Sequence, residues 1–170
     1  MTAADPVPAF AAGWGHAHGS FELKVPAALS GLTAVIDHQS IVDVIACHGW
    51  SLDEQQWEVM ADIYADDVTS TGCIAGVTNM ETVRGKAVYI DWLKGVLQAR
   101  SDQLRHNFLN IVVTEQGPDE ATAIGYCVLT STSPEAATVR ATGIYRFSLV
   151  KQGDRWRLSA IHSGLDNTPF

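Results

Sequence analysis

The sequence is short of cysteine, of positive charge and of long apolar runs, and each shortage removes a class of function. Cys47, Cys73 and Cys127 are odd in number, widely spaced and without a C-x-x-C pair. That spacing argues against a disulfide framework or a structural zinc site, and three reduced apolar thiols are expected. Lysine and arginine together number 11 against 19 acidic residues, for a formal charge of -8. The basic residues do not cluster, so no nucleic-acid partner is expected. No apolar stretch approaches the roughly 20 residues that span a bilayer, so no membrane partner is expected either. Residues Met1 to Phe10 lack a basic segment followed by an apolar one. A secretory leader is therefore not expected, and a cytoplasmic location follows by default.

What is present is an ordinary globular composition, 46% hydrophobic and 18% charged over 170 residues. That length suits one domain with one core. Residues 1–32 are rich in Ala, Gly and Pro, show no sustained period, and read as an irregular arm that Trp14 and Phe21 could anchor. His16-x-His18 in this arm has no third ligand nearby in sequence, so no metal is expected there.

Residues 33–170 carry the regular patterns. Ile41, Val44, Ile45 and His48 fall at helical spacing, with Gly49 as a stop. Ser51 with Glu54 three residues on reads as a capping box opening a second helix, whose apolar stripe is Trp57, Met60, Ala61 and Tyr64. A short strand within Asp66 to Ala75 precedes a third helix over Gly85 to Arg100, with Ile90, Leu93 and Leu97 inward. Four long strands follow, Arg105 to Glu115, Ala121 to Thr132, Val139 to Lys151 and Arg155 to Leu165. Turn sequences separate them, among them Gln116-Gly117-Pro118-Asp119 and Gln152-Gly153-Asp154. Helices followed by consecutive hairpins predict an α+β fold with an antiparallel sheet. Apolar residues on both alternations of the strands predict that both faces are covered, and Gly125 and Gly143 are the places where bending is easiest.

Four segments in order carry a family resemblance: Ser51-Leu52-Asp53-Glu54-Gln55-Gln56-Trp57, Tyr64-Ala65-Asp66-Asp67, His106-Asn107-Phe108-Leu109-Asn110 and Gly153-Asp154-Arg155-Trp156-Arg157-Leu158. Over about Thr33 to Asn167 the chain resembles the nuclear transport factor 2-like superfamily, and within it the SnoaL-like group with its scytalone-dehydratase-like and polyketide-cyclase-like members. The resemblance implies a cone-shaped curved sheet closed by three N-terminal helices, an α+β barrel around an internal small-molecule cavity. It also implies a homodimer through the outer sheet face. Fold alone does not fix the activity, so the site is argued from its own residues.

Scytalone-dehydratase-like members place an aspartate in the Asp-x-x-x-Trp position and a histidine at the start of this strand, and Asp53 and His106 match both. A carboxylate bonded to an imidazole orients it, and the imidazole then serves as acid or base near neutral pH. Such chemistry needs neither metal nor organic cofactor. Asp53 could instead simply favour a helix N-terminus, and His106 could be a satisfied half-buried residue. Strand alternation places Phe108, Asn110 and Val112 on the face of His106, so Asn110 is a candidate to orient a substrate oxygen. Trp57, Tyr64, Tyr89 and Trp92 on the covering helices, and Cys127 on a strand, are further substrate-binding candidates. His162 ranks lower as an acid or base, and His38 and His48 read as surface or helix-end residues. The sequence departs from scytalone dehydratase in having Cys127 where that enzyme has a second catalytic histidine, and Leu52 in place of a substrate-orienting tyrosine. A neutral thiol is a poor general base, so a related reaction on a different substrate is implied. The function expected is a cofactor-independent dehydratase, cyclase or isomerase acting on a hydroxylated, polyketide-like carbonyl compound. A non-catalytic ligand-binding or assembly module is the second reading, and an epoxide hydrolase the third.

Overall fold

The computed structural model describes residues 12–26, 28–98 and 100–168. Of the arm expected over residues 1–32, residues 1–11 and 27 lie outside them. Four helices are present among the described residues: α1 (Trp14–Ala17), α2 (Leu32–Asp53), α3 (Trp57–Ile63) and α4 (Lys86–Gln98). The strands are β1 (Tyr64–Ile74), β2 (Thr78–Asn79), β3 (Val83–Arg84), β4 (Gln103–Gln116), β5 (Glu120–Thr132), β6 (Ala137–Gln152) and β7 (Arg155–Leu165).

The helix boundary drawn at Gly49 is wrong, and packing is the reason. α2 runs on through Gly49 because β4 crosses it there: a Cβ at Gly49 would lie 3.0 Å from the His106 carbonyl oxygen and 3.3 Å from the Phe108 ring. Glycine serves close approach at this point, so its usual meaning as a breaker does not apply. Ser51 is consequently an interior helical residue that donates to the His48 carbonyl at 3.3 Å, and forms no capping box. The true stop comes at Gln55, which adopts left-handed geometry (φ 52). There the Gln55 amide donates to the Leu52 carbonyl at 3.2 Å and the Gln56 amide to the Ser51 carbonyl at 2.8 Å. This is the paired-bond ending that normally uses glycine.

The strands form one sheet in the order β2-β1-β7-β6-β5-β4, with β3 also on β1. The α+β class holds, but the sheet is mixed where an antiparallel one was expected, because β1 pairs with β7 in parallel. All the chain between them, α4 and three long strands included, serves as the crossover that parallel pairing needs. Among the described residues β4 does not pair back to β1, so the sheet is curved but open. β6 and β7 approach closely where a side chain is absent: a Cβ at Gly143 would stand 2.3 Å from the Gly164 carbonyl oxygen, so only glycine fits there. Along β5 the inward residues Ala121, Ala123, Gly125, Cys127, Leu129 and Ser131 are all buried, in strict alternation with the outward ones.

The inner face is covered by helices. Ile41, Ile45, His48 and Leu52 lie on one side of α2 and are buried, and Tyr89, Ile90 and Leu93 do the same for α4. They meet Val68, Phe147, Leu149, Leu158 and Ile161 from the strands in a single cluster. On the outer face, Trp14 and Phe21 are seated over Gly164, where an added Cβ would lie 2.5 Å from the Phe21 ring. Trp14 Nε1 donates to Asp166 Oδ1 at 2.8 Å. The described part of the arm is thus docked at Trp14 and Phe21, with one helical turn at its start, while residues 22–26 and 28–32 are exposed. No helix among the described residues is long and apolar enough to cross a membrane.

Candidate active site

Asp53 is the last residue of α2, where the negative end of the helix dipole disfavours a carboxylate. It was expected in a helix's first turn, where the dipole would have explained it. What holds it instead is β4: Asp53 Oδ2 accepts the His106 backbone amide at 2.7 Å and Oδ1 accepts the His106 Nδ1 proton at 2.6 Å. The carboxylate can only accept, which assigns the Nδ1–H tautomer to neutral His106. Both side chains are nearly enclosed, at 6% and 12% exposure for Asp53 and His106. His106 Nε2 is the nitrogen left for the cavity that its ring lines.

That cavity has a volume of about 150 Å³. A void of this size accepts a benzene-sized ring. His106, Leu52, Leu129, Trp92 and Tyr89 are among its walls, with Ser70, Ser163 and Tyr145 adding polar groups and Glu81 at an exposed position. His48 also lines it and was missed, since the sequence suggested a helix-end residue. It is 2% exposed, stacks on Phe108 at 5.7 Å between centroids, and bonds through Nδ1 to the Tyr64 hydroxyl at 2.9 Å. Burial, with the nearby His106 adding to it, pushes His48 down to about 3, so its imidazole stays neutral. His106 stacks on Phe108 as well, at 6.3 Å. The position of His48 on the α2 stripe with Ile41 and Ile45 was the available signal that it faces inward.

Of the other sequence candidates, Tyr89, Trp92 and Cys127 line the cavity and Trp57, Tyr64, Asn110 and His162 do not. Asn110 is displaced by a β-bulge: it is exposed with φ 51, and pairing jumps from Leu109–Tyr126 to Val112–Ile124. The extra residue turns Ile111 and Val113 inward in its place. Tyr64 is fully buried behind the wall and touches the site through His48. Trp57 packs on the core with Lys94 Nζ 5.7 Å from its ring centroid. His162 sits on the outer face, in register with Thr71 and Arg146.

The profile of the SnoaL-like domain matches residues 33–162. The chain belongs to the SnoaL-like family. That places it in the nuclear transport factor 2-like superfamily, and solved structures agree on the fold. A protein of unknown function with a cystatin-like fold from Nostoc punctiforme is 21% identical with a TM-score of 0.65, over 78% of this chain and 93% of that one. From Novosphingobium aromaticivorans, a provisionally assigned scytalone dehydratase is 16% identical (TM-score 0.68, 81% and 90% coverage). The β subunit of a provisionally assigned aromatic-ring-hydroxylating dioxygenase from the same organism is 19% identical (TM-score 0.68, 79% and 92%). No curated protein matches the chain.

Cys127 contributes to the cavity wall. Burial, then the Asp53 charge, pushes its thiol up to about 12, so it is a neutral wall group. Alkylation of the native protein with iodoacetamide should therefore label exposed Cys47 and leave Cys127 unmodified, as peptide mass mapping can read out. Labelling of Cys127 as fast as Cys47 would show an activated thiol.

Proposed function

We propose that this SnoaL-like protein is a cofactor-independent lyase or isomerase for a small hydroxylated carbonyl compound, with His106 as the base. The observation that carries the reading is the Asp53–His106 pair, bonded at 2.6 Å against the wall of an apolar cavity. His106 Nε2 removes a proton from the carbon beside the carbonyl, and the electron pair moves onto the carbonyl oxygen as an enolate. Neutral His48 donates a hydrogen bond to that oxygen, as a neutral imidazole can in a dry site. The enolate then collapses, the C–O bond to a β-hydroxyl breaks, and His106 returns its proton to the departing oxygen, releasing water. Asp53 stabilises the positive charge that His106 carries between the two transfers.

The cavity volume supports some forms of this chemistry over others. A cavity of about 150 Å³ holds one ring, which favours dehydration or isomerisation of a monocyclic or short-chain substrate over closure of a long polyketide. The binding-module reading accounts for the Asp53 bond to the His106 backbone amide, which ties α2 to β4, but gives no use to the second bond from His106 Nδ1. The epoxide-hydrolase reading lacks a second carboxylate poised in the cavity: among the described lining residues Glu81 is the only acid, and it is exposed. The test is turnover of a panel of cyclic and short acyclic β-hydroxy ketones, followed by loss of hydroxyl and gain of conjugated absorbance. Turnover of a monocyclic member supports the reading; turnover confined to polycyclic members would overturn the size argument.

We also infer a homodimer through the outer sheet face. Leu109 and Tyr126 pair in register there and are 47% and 53% exposed, beside the strip that the arm covers. Light scattering should give twice the chain mass for the wild type and one chain mass for Leu109→Asp. A monomeric wild type, or an unaffected variant, would contradict this.

A further inference from the structure

We propose that His18, Cys73 and His162 form a zinc-class transition-metal site that clamps the N-terminal arm to the outer face of the sheet. His18 has no third ligand near it along the chain; Cys73 and His162 reach it from β1 and β7. One donor atom from each of the three residues lies within 4.8 Å of the other two. Tetrahedral zinc with bonds of 2.0–2.3 Å spaces its ligands by about 3.3–3.8 Å, so closing on an ion asks each atom to move by no more than about 1 Å.

Hydrogen bonding points the same way. His162 Nδ1 is bonded to Thr71 Oγ1 at 2.7 Å, which fixes the ring and leaves Nε2 for the cluster. A hydroxyl or carboxylate on the far nitrogen is how a ligating histidine is usually held. His162 Nε2 and His18 Nδ1 are both buried without a hydrogen-bond partner. Two such nitrogens side by side are costly unless something joins them, and a cation does so. The two ring centroids lie 6.1 Å apart, with the ring planes 14° from parallel. Cys73 is fully buried beside them, and its thiol is the third donor of the cluster. A bound ion displaces the thiol proton and takes the thiolate as its third ligand. Two imidazoles and a thiolate suit a borderline-soft ion such as Zn²⁺ rather than Mg²⁺ or Ca²⁺. Arg146, paired with His162 in the sheet, is a nearby cation, and the thiolate charge offsets it.

The site lies on the opposite side of the sheet from the cavity, so it is independent of the proposed catalysis. Its effect is to hold the segment around Trp14 to Phe21 in place.

The test uses the full chain stripped with a chelator, titrated with Zn²⁺ against a chromophoric competitor and with Co²⁺ by absorbance. One equivalent should bind, with a thiolate-to-cobalt charge-transfer band, and Zn²⁺ should raise the melting temperature. His18→Ala, His162→Ala and Cys73→Ser should each weaken binding by at least about a hundredfold, since loss of a direct ligand exceeds loss of its support. His16→Ala, at an exposed neighbour outside the cluster, should bind as the wild type does. If Cys73→Ser does not fold, His18→Ala decides alone, because His18 belongs to the arm and not to the core. Absence of stoichiometric binding, binding without the charge-transfer band, or full affinity in His18→Ala would each overturn the site.

Discussion

His106→Gln is expected to turn over the best β-hydroxy ketone substrate at least about a hundredfold more slowly than the wild type, the usual scale for a positioned proton-transfer group. Glutamine keeps a hydrogen-bonding tip of similar reach but has no basic nitrogen. The backbone amide bond from His106 to Asp53, 2.7 Å long, does not depend on the side chain, so α2 stays tied to β4 and the fold persists. Asp53→Asn should fall by a comparable factor, because an amide facing Nδ1 no longer requires the Nδ1–H tautomer. The double variant should be hardly slower than either single one, since the two act as one unit. Steady-state rates for the three variants check this, and additive losses would mean that the residues act separately.

The second large effect is on stability and concerns a pair far from the cavity. Asp37 is 8% exposed and accepts from Lys151 Nζ at 2.7 and 3.0 Å and from Trp156 Nε1 at 3.0 Å. These bonds join the start of α2 to the β6–β7 hairpin. Asp37→Ala leaves an ammonium partly buried and an indole N–H unpaired, a loss of about 3 kcal/mol on the scale of broken buried pairs. The urea midpoint measures it. The hydrogen bonds from Lys151, and then from Trp156, hold the Asp37 carboxyl below its ordinary value against the opposing effect of burial. A lowered folded-state value means that the stabilisation is complete above the ordinary carboxylate range. It is lost as pH falls through that range toward the lowered value. Wild-type stability should therefore fall on acidification more steeply than that of Asp37→Asn, and parallel profiles would contradict this.

Much of the fold was legible because its signals were local. The four long strands and their turns follow from alternation and from Gly-Pro, Ser-Pro and Gly-Asp sequences, and Ile90, Leu93 and Leu97 mark the inward side of α4. What was not legible depended on contacts made across the chain. Gly49 looked like a stop because nothing in sequence shows β4 pressing on it, and Gln55 hid the real stop because no glycine stands there. The same error put Asp53 at the wrong end of a helix while leaving it beside the right histidine. Asn110 was misplaced because a bulge shifts alternation by one residue without a sequence mark. The parallel β1–β7 pairing could not be read from hairpins alone.

The site follows the same division. Asp53 and His106 came from motif positions, whereas His48 entered only through packing of α2 on the sheet. Its neutrality is a product of burial, which no single residue specifies.

The measurement closest to the central claim is the tautomer of neutral His106, read by long-range proton–nitrogen correlation on the isotopically labelled protein. A protonated Nδ1 and a bare Nε2, with that preference lost in Asp53→Asn, is the result expected of a base aimed into the cavity. A proton resident on Nε2 in the wild type would contradict it, because the nitrogen facing the substrate would then have no lone pair to accept with.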